Sequence, residues 1–75
     1  MSQDTLLHQL TLVAESIAED ERQINQQRKL IEDLRRDRHR TTEAERRLTK
    51  LQEGQALHMA ERDKLTAALT KQAVA

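Results

Sequence analysis

Thr42-Glu43-Ala44-Glu45 stands near the middle of a 75-residue chain that is otherwise helix-forming almost from end to end. It has the form of a capping box. In such a box a Thr hydroxyl accepts the N–H of the residue three further on, whose Glu carboxylate returns to the N–H of the Thr. These bonds satisfy donors that a helix N-terminus leaves unpaired, so Thr42 and Glu45 predict that one helix ends and another begins here. The predicted fold is all-α: an antiparallel helical hairpin with helices over about 4–38 and 42–73 and a turn over 38–42, forming one domain across 1–75. The competing reading is a continuous helix of roughly 110 Å that pairs as a long coiled coil.

Composition narrows the class. The chain has no Phe, Tyr, Trp, Pro or Cys and a single glycine, Gly54, while Lys, Arg, Asp and Glu make up 35% of it. Without aromatic side chains there is little bulk to fill a globular core, and helix formers dominate. The absence of Cys removes disulfides, thiol catalysis and thiolate metal sites together. Asp4 near the start, with no basic segment and no long apolar run, predicts neither a signal peptide nor a membrane span; the expected location is cytoplasmic.

Arm one carries Leu6, Leu10, Val13, Ile17, Ile24, Ile31 and Leu34, a heptad seam with gaps where Asp20 and Gln27 fall. Leu7 and Ala14 widen this stripe on one side and Leu30 on the other. Arm two places Leu48, Leu51, Met59, Leu65 and Leu69 broadly on one face, with Ala44 and Ala73 at its ends. Gln55, His58 and Arg62 share that face near its middle, and Leu57 points away from it. Folding at 39–41 sets residue i opposite residue 80 minus i. The polar interruptions then meet: Asp20 or Glu21 with Arg62, and Gln27, Gln55 and His58 nearby, form a polar layer that can fix register and oligomeric state. Stripes this broad exceed what one hairpin can cover, so two hairpins pairing into a coiled-coil-like four-helix bundle, a homodimer, is the expected assembly. An unidentified protein partner supplying the missing helices satisfies the same physics.

The run Arg36-Asp37-Arg38-His39-Arg40-Thr41-Thr42-Glu43-Ala44-Glu45, with Leu48, His58 and Arg62-Asp63-Lys64-Leu65 following, resembles a group of short alphaproteobacterial proteins, rhizobial ones especially. Those proteins carry an Asp-Gly-His-Asp-Thr-Thr-Glu-Ala turn and a later His-x-x-x-Arg-Asp. The resemblance spans about residues 20–69 and implies a hairpin with its turn at Asp37–Thr42. Arg38 stands where that group tends to have Gly. No activity comes with the resemblance.

Catalysis and cofactor chemistry are not expected. His8, His39 and His58 are too far apart in sequence for metal-ligand spacing, and a narrow helical bundle offers little desolvated space. Net charge is zero but unevenly spread. Residues 1–21 hold five acids and no Lys or Arg, whereas residues 28–50 hold nine basic groups against five acidic ones. Such opposite ends favour antiparallel self-association. Arg35, Arg36, Arg38, Arg40, Arg46 and Arg47 cluster around the turn, and an apex rich in Arg can hold phosphates. A nucleic-acid-binding regulator is therefore the alternative to a protein–protein assembly module, although Asp37, Glu43 and Glu45 lie inside the cluster and no aromatic is present for base stacking. Membrane binding is not expected, since the apolar faces lack Trp and Phe.

Overall fold

The computed structural model describes residues 2–74 and consists of two long helices folded against each other, α1 (Gln3–Arg36) and α2 (Thr42–Val74). Residues 1 and 75 of the expected domain lie outside the described residues. The rod measures 58 × 14 × 14 Å between Cα extremes. A single helix of this chain would be about twice as long, so the chain is a hairpin.

Each helix boundary has a local cause. Ser2 stands at the N-cap of α1 in extended conformation, and its Oγ accepts the Thr5 N–H at 3.1 Å. Asp4 lies in the first turn, where a negative charge faces the positive end of the helix dipole. At the other end, Arg38 N–H donates to the Arg35 carbonyl at 3.0 Å, and His39 N–H donates to the Leu34 carbonyl at 2.8 Å. This pair of bonds is a Schellman motif, which needs a left-handed residue just past the C-cap. The C-cap is Asp37, and the left-handed residue is Arg38, with φ 61°. A residue with a Cβ held there costs roughly 1–2 kcal/mol, which is why Gly is usual at this place.

The start of α2 differs from the predicted capping box. The Glu45 N–H donates to the Thr41 carbonyl at 2.8 Å, which makes Thr41 the boundary residue and puts Thr42 inside the helix. The Glu45 carboxylate does not return to Thr42 but takes a bond from Arg35 Nη2 at 2.7 Å. A cation brought across the turn outcompetes a neutral backbone donor for a carboxylate. Helix start and fold are as expected; the Thr42–Glu45 box itself is not formed.

Packing between the helices divides in two. Toward the free end, Leu6, Val13 and Leu65 are buried together, with Leu10, Ile17, Ala68 and Leu69 packed against them. Toward the turn, Ile24 and Ile31 are buried. The other apolar seam residues, Leu34, Leu48, Leu51 and Met59, are only partly buried. A pair of helices can enclose one narrow line of side chains and no more, so the stripes remain open on their flanks.

Candidate interaction site

The two helices bring some of the polar seam residues together and keep others apart. His58 Nδ1 lies 2.5 Å from Asp20 Oδ2, with the Asp20 side chain 15% exposed. Beside them Gln55 Nε2 donates to Glu21 Oε2 at 3.4 Å. These contacts level residues 20–21 of α1 with residues 55–58 of α2. Arg62 does not join them. It is exposed and reaches its own neighbour Asp63 at 3.3 Å. The helices end at Arg36 and begin at Thr42, so the turn centres on His39 rather than on Arg40. That shift of two residues in pairing leaves Arg62 about a turn away from Asp20, and a long side chain at the seam edge then carries its charge out to water.

Gln27 also leaves the expected layer. It is buried at 9% exposure, and its Nε2 donates to the Ala44 carbonyl at 2.9 Å, nearer the turn. Ala44 has only a methyl side chain opposite, which leaves room for the amide of Gln27 to reach the backbone. Among the described residues no buried side-chain nitrogen or oxygen is left without a partner.

Around the turn, ion pairs occupy half of the arginine cluster. Arg35 binds Glu45 at 2.7 Å, Arg36 binds Asp33 at 2.8 Å and Arg46 binds Glu43 at 2.6 Å. Arg38, Arg40 and Arg47 have no carboxylate partner among the described residues. Arg46, Arg47 and Lys50 line a shallow surface groove with Glu43. Each ion pair is solvent-exposed and worth at most about 1 kcal/mol. Farther down α1, Arg22 hydrogen-bonds Glu19, as does Gln23, and these bonds hold the Glu19 carboxyl below its ordinary value of 4.5.

Apolar side chains are exposed on the outside of the hairpin. Leu7, Leu12 and Leu30 are 45–49% exposed, and Leu57 is 73% exposed. Among the described residues no cluster of three or more His, Cys, Asp or Glu could hold a metal ion, and no helix is long and apolar enough to cross a membrane. No protein-family model matches the chain, and neither a curated protein nor a solved structure matches it.

Two features escape a reading by seam and cap alone. The Arg35–Glu45 bridge joins the helices across the turn, and the Gln27 amide ties α1 to the α2 backbone. A signal for the first was present: oppositely charged residues flank a predicted turn at similar distances. Nothing in the residue pattern points to the second, because it depends on a small residue lying opposite an amide.

Proposed function

We propose that this chain is a small non-enzymatic assembly module that self-associates, two hairpins packing as a four-helix bundle and offering their remaining surface to a protein partner. The observation that carries this reading is the apolar surface that one hairpin leaves open: among the described residues, four leucines are 45–73% exposed and the core holds five buried apolar residues. Leu51 and Leu69, at the centre of the α2 seam, are partly exposed and become more enclosed when a second hairpin is added. The Asp20–His58 and Glu21–Gln55 contacts at mid-height set the register in such a bundle, since a polar pair tolerates few alternative alignments.

Light scattering with refractive-index detection is the test, because the chain lacks Trp and Tyr. The expected mass is twice the 8.7 kDa of one chain; a species of 8.7 kDa overturns the reading. A second reading, nucleic-acid binding by the apex, draws on Arg38, Arg40 and Arg47, which have no carboxylate partner among the described residues. It predicts an RNA or DNA gel shift that weakens in salt and is lost when Arg38 and Arg40 become Glu.

A further inference from the structure

We propose that a second copy of this chain covers the side of the hairpin that carries Leu12, Leu30 and Leu57, related to the first by a two-fold axis crossing the rod at the level of Glu21 and Leu57. The turn of each hairpin then lies against the free end of the other. This inference rests on the proposed self-association and adds its geometry.

The three leucines share one side. The Arg35–Glu45 bridge marks the opposite flank of the pair. On α1, Arg35 follows the seam residue Leu34 whereas Leu30 precedes Ile31, and at about 100° per residue these turn to opposite flanks. On α2, Glu45 lies as far before the seam residue Leu51 as Leu57 lies after it, so these two also flank it on opposite sides. Leu12 and Leu30 are separated by about five complete turns of α1 and point the same way. Gly54 belongs to the flank of Leu57, and a Cβ added there meets nothing within 4 Å, so the side is open.

Self-complementarity locates the axis. In a two-fold interface residue i of one copy meets residue j of the other while j meets i. Glu21 is midway between Leu12 and Leu30, so an axis at its level sets each Leu12 against the Leu30 of the other copy. The Asp20–His58 and Glu21–Gln55 contacts put Leu57 at that same level on α2. One axis therefore serves both helices, and Leu57 meets its own copy beside it.

Charge selects the antiparallel arrangement. The free end, residues 1–21 with 60–74, carries seven acids against three Lys or Arg, a net −4; the turn end, residues 28–50, carries nine basic groups against five acids, a net +4. Hairpins aligned turn to turn would place +4 beside +4. Reversing one places each end beside its opposite over contacts shorter than the Debye length. The area also suffices. A side of 58 × 14 Å spans roughly 800 Å², the amount each partner contributes to a standard interface.

Cysteine variants test this directly, since the chain has no Cys of its own. The masses of the wild type and of each reduced variant are measured first, and helicity by circular dichroism shows that each variant folds. A short thiol-to-thiol cross-linker should join most Leu57→Cys chains into covalent dimers. Leu12→Cys and Leu30→Cys should each remain uncross-linked as pure preparations, and give a dimer when mixed and re-equilibrated. Leu7→Cys, on the other flank, should stay monomeric on a denaturing gel. Efficient cross-linking of pure Leu12→Cys or pure Leu30→Cys means a turn-to-turn dimer and overturns the proposal, as does cross-linking through Leu7→Cys with none through Leu57→Cys. A monomeric wild type overturns both this arrangement and the self-association beneath it, whereas a dimer with the wrong cross-links overturns the arrangement alone.

Discussion

The free end and the turn end of this rod are held by different physics. At the free end Leu6, Val13 and Leu65 are buried together and the hydrogen bonds of the α1 N-terminus are local, Ser2 to Thr5 and the helix backbone. At the turn end fewer apolar side chains meet, and directed bonds join the parts: Arg38 and His39 to the last α1 carbonyls, Gln27 to Ala44, and Arg35 to Glu45. Apolar burial is strong but does not discriminate between alignments, whereas directed bonds are individually weak and define a geometry. One end supplies cohesion and the other supplies the turn and the register.

Removing cohesion should have the largest effect. Leu65→Ala deletes the α2 member of the free-end cluster and should destabilise the fold by roughly 2–5 kcal/mol, read as a lower denaturation midpoint by circular dichroism. A loss below about 1 kcal/mol would mean that this cluster is not the anchor. Next in size, Gln27→Ala removes a buried amide and its bond to Ala44, and should cost about 1–2 kcal/mol by chemical denaturation. If both variants lost equal stability, the division between the two ends would not hold.

Arg38→Gly should act in the other direction. It relieves the left-handed strain at φ 61° but gives the unfolded chain more freedom, for a net gain of about 0.5–1 kcal/mol, visible as a raised thermal midpoint. A lowered midpoint would show that the turn is not left-handed at this residue. The smallest effect concerns Glu19, whose carboxyl is held below 4.5 first by its hydrogen bond from Arg22, then by Gln23 and the Arg22 charge. A depressed folded-state value means stability present above the unfolded value and lost as pH falls through the folded one. The difference in thermal midpoint between wild type and Glu19→Gln should therefore shrink as pH is lowered from about 7 to about 2, and a difference that does not change would remove this contribution.

The hairpin was legible because its signals are periodic or local. The apolar spacing in each arm marks two helices, and the cap signal at Thr42–Glu45 marks the break, although the box itself does not form. Asp20 and His58 were legible as polar interruptions at similar height, and they do meet, though the register is shifted toward the turn. Arg62 and Gln27 were not. Whether a long side chain on a seam turns inward or out depends on what stands across from it, and that is a property of the neighbouring helix.

By itself, then, the amino-acid order determined the two helices, the faces they present and the segregation of charge along the rod, since each follows from a repeat or a run within one segment. The tertiary structure alone decided three things: that Thr41 rather than Thr42 opens α2, that Arg38 takes the left-handed place, and that the Glu45 carboxylate serves Arg35. The first two are choices among neighbouring groups at one helix end, which a residue pattern does not rank, whereas the third is a competition for one carboxylate in which only the docking of α1 on α2 brings Arg35 within reach.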